Sequence, residues 1–157
     1  MTQKEYLEHE GEKTMTTKEY LSRAISLRTK IRSKIQQITE LESLVTTLSA
    51  TLNPIKVQTS KDEHKTENIV IKIAEYREEL NNEVLIFFKV RDEIKESVDA
   101  VCNVDYKVLL ELRYLVGMSW EDIAAEMNYS ISYIFKLHSK ALKEVIIPEN
   151  RIVKAIE

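Results

Sequence analysis

Two glycines and two prolines in 157 residues leave little material for tight turns. Strand-rich folds spend such residues at every hairpin, so their scarcity argues for long, uninterrupted helices. A single cysteine, Cys102, cannot form an internal disulfide, which suits a reducing, cytoplasmic compartment. No apolar run approaches the roughly 20 residues of a membrane-spanning helix, and the polar, charged N-terminus lacks the form of a signal peptide. No membrane association is therefore expected. With 26 acidic against 23 basic side chains the net charge is −3, so no general basic coat exists. Any nucleic-acid contact has to come from a local patch.

The chemistry-bearing residues are equally sparse. His9, His64 and His138 lie in three separate segments, with no metal-ligand spacing to one another or to Cys102. No phosphate-cradling glycine loop and no nucleophile elbow occur. Carboxylates are plentiful, but they run along helix surfaces where solvation accounts for them. The expectation is a protein that is not an enzyme and uses no cofactor and no metal.

What the chain does have is periodicity. Residues 1–14 are polar, yet Met1-Thr2-Gln3-Lys4-Glu5-Tyr6-Leu7 nearly repeats as Met15-Thr16-Thr17-Lys18-Glu19-Tyr20-Leu21. Either the start region is duplicated, with Met15 an alternative start, or two helix-start sequences resemble each other by chance. Thr16 and Glu19 form a capping-box pattern. Beyond it Ala24, Ile31, Ile38, Val45 and Leu52 fall seven apart, with Leu27, Leu41 and Leu48 three residues on and Lys34 breaking that second row. This is a heptad seam, and Asn53-Pro54 should end it. After a loop over 53–62, a second helix starting near Asp62 or Glu63 carries Ile73, Leu80, Phe87, Ile94 and Val101. Ile69, Tyr76 and Val90 fill its second row, with Glu83 as the exception. Two such seams joined by a short loop describe an antiparallel hairpin. Basic residues early in the first helix would then meet acidic ones late in the second. The run Val84-Leu85-Ile86-Phe87-Phe88 is apolar all round, more than a two-helix hairpin can bury. A second copy of the chain is the favoured cover, over the C-terminal helices folding back.

From residue 102 the pattern changes. Asp105 is expected to cap a helix through Tyr106–Leu115, and Gly117 to stop it in the left-handed conformation. Ser119 caps a second helix with Glu121 and Asp122 in its first turn, and Ile123, Ala124 and Met127 line its inner face. Asn128 suits a left-handed turn position, Tyr129 plugs the corner, and Ser130 caps a third helix whose inward face holds Ile134 and Leu137. The arrangement is a helix-turn-helix. Ser130, Ser132, Tyr133, Lys136, Ser139 and Lys140 then project outward or to the flanks. Lys136, Lys140 and Lys143 make residues 130–143 cationic. Trp120 is expected to anchor the core.

Residues 105–145, with their Leu109-Leu110-Glu111-Leu112-Arg113-Tyr114-Leu115 helix, glycine, Ser119-Trp120-Glu121-Asp122-Ile123-Ala124 helix and serine-capped helix ending in Ala141-Leu142-Lys143, resemble the last DNA-binding region of bacterial primary-type sigma factors. With the hairpin, residues 16–145 resemble the small sigma-like proteins of phages and mobile elements of Gram-positive bacteria, akin to the RinA/ArpU type of late-transcription regulators. The resemblance implies that Ser132, Tyr133, Lys136 and Lys140 contact bases and phosphates. It places Arg113 on the DNA backbone, unless it pairs with an acid such as Glu126. Phe135 and His138 depart from the pattern, at places usually polar and usually leucine. His138 is expected to be partly buried and hydrogen-bonded.

The expected fold is all-α: a flexible leader (1–15), an antiparallel coiled-coil-type hairpin (16–101), a three-helix helix-turn-helix domain (102–147) and a tail (148–157). The expected function is sequence-specific binding of double-stranded DNA in transcription regulation. The hairpin would serve homodimerisation or contact with RNA polymerase. A DNA-packaging adaptor like a small terminase subunit, or a structural interaction protein with a degenerate helix-turn-helix, are the alternatives.

Overall fold

The computed structural model describes residues 15–51 and 60–149, and these are all-α. Expectations for the leader, the Asn53-Pro54 stop and the tail from residue 150 lie outside the described residues. The elements are α1 (Thr17–Thr51), α2 (Ser60–Asp99), α3 (Val104–Leu110, continued by a wide π-helical turn, Glu111–Val116), α4 (Trp120–Glu126) and α5 (Ile131–Glu144). Helix α2 starts at Ser60, two residues before the earlier of its expected starts. Among the described residues no helix is long and apolar enough to cross a membrane.

The capping box at the start of α1 is formed as its sequence pattern requires. Thr16 Oγ1 accepts from the Glu19 N–H at 3.2 Å, and the Thr16 N–H donates to Glu19 Oε2 at 2.8 Å. Two N–H groups without intrahelical acceptors are thereby satisfied.

The described residues form two compact units, one of residues 15–23 and 93–149, the other of 24–51 and 60–92. The dividing line between these units falls inside the two long helices. The cause is visible in the burial of the hairpin's root. Tyr20, Leu21 and Val98 are fully buried, although Leu21 and Val98 lie beside the two-helix seam and not on it. Only further helices can remove such flanking positions from water. Lys18 acts electrostatically on His138 of α5, which places the start of α1 against the C-terminal helices.

Within this unit the two long helices are joined by polar groups. The Arg23 guanidinium, its side chain 1 % exposed, lies 2.5 Å from Glu93 Oε1. Its Nε donates to the Tyr20 carbonyl at 3.0 Å, and Tyr20 Oη and Ser97 Oγ are 2.9 Å apart. Burial and the Glu93 charge raise the Tyr20 phenol above its ordinary pKa, offset in part by Ser97 and Arg23. Asn103, not Asp105, caps α3: its side chain accepts from the Tyr106 N–H at 3.1 Å, and Asp105 sits in the first turn. The helix starts earlier than expected because Asn103 is as good a cap as aspartate and comes first.

In the other unit the seam follows the heptads. Leu27, Ile38, Ile73 and Val90 are buried, and Ile31, Leu41, Val45 and Leu48 are half-buried. Two interhelical ion pairs set the antiparallel register, Lys34–Glu79 and Arg77–Glu42, both at 2.5 Å. Lys34 breaks the apolar row because its ammonium reaches Glu79 and lies 4.5 Å from the Tyr76 ring centre. The hydrogen bond to Glu79 raises its pKa, with Glu79 and Glu83 adding favourable charge. Glu83, the break in the other seam, has a buried Oε2 with no hydrogen-bond partner. Of the belt Val84–Phe88, Leu85 and Phe88 remain 55 % and 53 % exposed.

Two outcomes follow from these polar groups. Arg23→Ala removes the buried guanidinium that pairs with the part-buried Glu93 and should cost about 3–5 kcal/mol in urea unfolding, whereas the apolar double variant Arg23→Met/Glu93→Leu should recover most of it. Glu83→Leu removes a buried acceptor without a donor and should raise stability by about 1–3 kcal/mol, seen as a higher melting temperature.

Candidate nucleic-acid interface

The geometry of the C-terminal helices is set by turns. The π-helical turn closes on Gly117, which has φ 88° and donates to the Leu112 carbonyl at 3.0 Å, as Met118 does at 2.9 Å. A residue with a Cβ is strained at that φ, so glycine ends the helix there. Ser119 caps α4 by accepting from the Asp122 N–H at 3.1 Å. Asn128 takes φ 55°, the sole non-glycine residue with positive φ among those described. Its short amide side chain tolerates this conformation, which reverses the chain between α4 and α5. Ser130 then caps α5, accepting from the Tyr133 N–H at 3.3 Å. The helix-turn-helix is thus present with the caps and turn residues expected.

The inward face of α5 is formed by Ile134, Leu137, His138 and Ala141, all buried. At about 100° per residue, the side chains opposite that face are Ser132, Lys136, Ser139 and Lys143. All four are exposed. They form one stripe along the helix, i, i+4, i+7 and i+11. Tyr133 (45 % exposed) and Lys140 lie on one flank, and Ile131 and Phe135 on the other. Among the described residues neither Lys136, Lys140 nor Lys143 forms an ion pair. The Ser139 hydroxyl donates to the Phe135 carbonyl at 3.0 Å, so toward a ligand it can only accept. Tyr133 stacks on Tyr129 with ring centres 4.8 Å apart, and Asp105 beside Tyr129 raises that phenol's pKa. Tyr129 is 37 % exposed, so it covers the corner without being sealed in it.

Two residues have structural work. Arg113 donates to the Met118 carbonyl at 2.7 Å and lies 4.4 Å from the Trp120 ring centre, pinning the turn after Gly117. Among the described residues it makes no ion pair with Glu126, and it stands apart from the α5 stripe. Trp120 is half-buried, with Arg113 over one ring face and with Phe135 and His138 at 5.2 and 4.8 Å. Phe135 therefore packs on Trp120, which explains an aromatic side chain at a half-exposed helix position. His138 is buried, with Nε2 2.9 Å from Tyr114 Oη. Burial pushes its pKa down to about 4, helped by the charges of Lys18 and Arg113. Burial also pushes the Tyr114 phenol up to about 12. Both groups are uncharged at neutral pH, so their hydrogen bond costs no ion desolvation.

Lys143 completes the exposed stripe and is not among the candidate contact residues read from the sequence. Its spacing from Ser132, eleven residues and so three turns, was the available signal. Among the described residues there is no group of three His, Cys, Asp or Glu side chains able to hold a metal.

The chain belongs to a family described as a protein of unknown function, DUF1492, whose model matches residues 44–146. That match takes in the end of α1, all of α2 and the whole helix-turn-helix. No curated protein and no solved structure matches the chain.

The buried histidine has a measurable consequence. Because its folded pKa lies below its unfolded value, the unfolded state binds more protons between the two. Stability should be full above about pH 6.5 and fall toward pH 5 by about 1.4 kcal/mol per pH unit. His138→Leu should flatten this slope, as read from urea unfolding at a series of pH values.

Proposed function

We propose that this protein is a sequence-specific double-stranded-DNA-binding regulator of transcription, acting on phage or mobile-element genes and placing α5 in the major groove. The observation that carries the reading is the outer stripe of α5. A capped helix of 14 residues presents serines and lysines outward, and aromatic packing and glycine- and asparagine-set turns hold it rigidly from behind. Such a helix is about 21 Å long, and its width matches a groove about 12 Å across. In a chain of net charge −3, a local cationic stripe is the part of the surface that attracts phosphates.

Lys136, Lys140 and Lys143 serve as phosphate contacts. Ser132, near the helix N-terminus and centred on the stripe, faces base edges, with Ser139 accepting from a base amino group. Tyr133 approaches from the flank. Ser130 and the first N–H groups of α5 suit a phosphate at the groove's edge. Arg113 acts through the turn it pins.

Salt-dependent binding separates these roles. Lys136→Ala and Lys143→Ala should each weaken binding to all sequences alike and reduce the slope of log affinity against log salt by about 0.9 per lost contact. Ser132→Ala should leave the slope unchanged and alter which sites are selected from random DNA. If the intact protein shows no salt-sensitive binding at low ionic strength, the reading is wrong.

A further inference from the structure

Two aromatic side chains on α5 are half-exposed, and only one of them is explained by packing on the helices behind. Phe135 packs on Trp120. Tyr133 instead lies on the opposite flank, 45 % exposed and directly after Ser132. It belongs to the first turn of α5, the turn that a helix bound in the major groove brings nearest to base edges. Its backbone is fixed by the cap: the Tyr133 N–H donates to the Ser130 carbonyl at 3.0 Å and to Ser130 Oγ at 3.3 Å.

The ring is fixed as well. Tyr129 stands four residues earlier, with ring centres 4.8 Å apart and ring planes inclined by 54°, a favourable aromatic pair. Tyr129 is itself held by the turn. It lies between Asn128, at φ 55°, and the cap Ser130, and its N–H donates to the Ala124 carbonyl at 3.0 Å. Asp105 of α3, left free of capping because Asn103 caps that helix, lies beside the Tyr129 phenol and raises its pKa by charge and by hydrogen bonding. Tyr129 is thus a backstop that takes up one side of the Tyr133 ring.

A ring held in this way, beside serines and lysines, adds a contact that those side chains do not make. Lysines meet phosphates, and serine hydroxyls meet the donors and acceptors of base edges. A ring offers carbon, and the apolar feature of a base pair in the major groove is the C5-methyl group of thymine, which 5-methylcytosine also carries. We infer that Tyr133, braced by Tyr129, contacts a pyrimidine 5-methyl group and so determines one position of the bound sequence. Tyr129 is the positioning residue, acting through Tyr133. The inference rests on the reading of α5 as a DNA-binding helix.

The probe is a duplex selected from random DNA by the full-length chain. It is resynthesised with uracil for thymine, or 5-methylcytosine for cytosine, one position at a time. At one position the methylated base should bind about fourfold more tightly than its unmethylated counterpart. A response in the uracil series assigns the methyl to thymine, and one in the cytosine series assigns it to a modified cytosine. In Tyr133→Ala and Tyr129→Ala this ratio should fall toward one, with the slope of log affinity against log salt unchanged. Tyr133→Phe and Tyr129→Phe keep both rings and should keep the ratio. The inference is overturned by the absence of any methyl-sensitive position or by a ratio unchanged in either alanine variant. A ratio lost in Tyr133→Phe as fully as in Tyr133→Ala also overturns it, because the contact then belongs to the hydroxyl. A chain that selects no duplex overturns the DNA reading and this inference together. Selection without methyl sensitivity removes this inference alone.

Discussion

The Arg23 guanidinium, buried at the root of the two long helices, is the constraint on which the C-terminal half depends. A charge is tolerated there because acceptors, Glu93 and the Tyr20 carbonyl among them, receive its hydrogen bonds. Tyr20 and Ser97 extend the same group one turn further along each helix. With these atoms paired, the start of α1 and the end of α2 offer a fixed floor. Leu21, Ile94 and Val98 on that floor are fully buried, as are Leu109, Leu110, Ile123 and Ile134 of the short helices. Seven-residue helices such as α3 and α4 are too short to persist alone. They are stable as packed pieces of this unit.

A second layer of order comes from neutral aromatic contacts. Tyr114, His138, Trp120, Phe135 and Arg113 form a continuous stack behind α5. It occupies the side of the helix turned away from the outer stripe. The side chains proposed to read DNA therefore project from a helix whose rotation about its own axis is fixed.

Much of this was legible in the sequence where one residue type does one local job. Thr16 with Glu19, Gly117, Ser119, Asn128 and Ser130 all act through their own backbone or within one helical turn, and the structure has each of them where local chemistry puts it. The heptads also located the seam, including the two breaks at Lys34 and Glu83. What escaped were features decided by a choice between neighbours or by distant packing. Asn103 and Asp105 are both good caps, and only the helix start decides between them. The widened turn before Gly117 has no residue signature. The dividing line at Arg23 and Glu93 follows from which helices cover Leu21 and Val98, and no local pattern reports that. Arg113 reads as a surface cation until Met118 and Trp120 are seen beside it.

The two seam breaks have a consequence for how the hairpin finds its alignment. Heptads are nearly interchangeable, so sliding one helix by seven residues would keep apolar rows in contact. In the native alignment Lys34 reaches Glu79 and shares its surroundings with Glu83. A slip of one heptad would put Ile86 or Lys72, according to its sense, where Glu79 stands. It would also separate Glu42 from Arg77. Each misaligned hairpin therefore loses both interhelical ion pairs, which favours the one alignment that forms them.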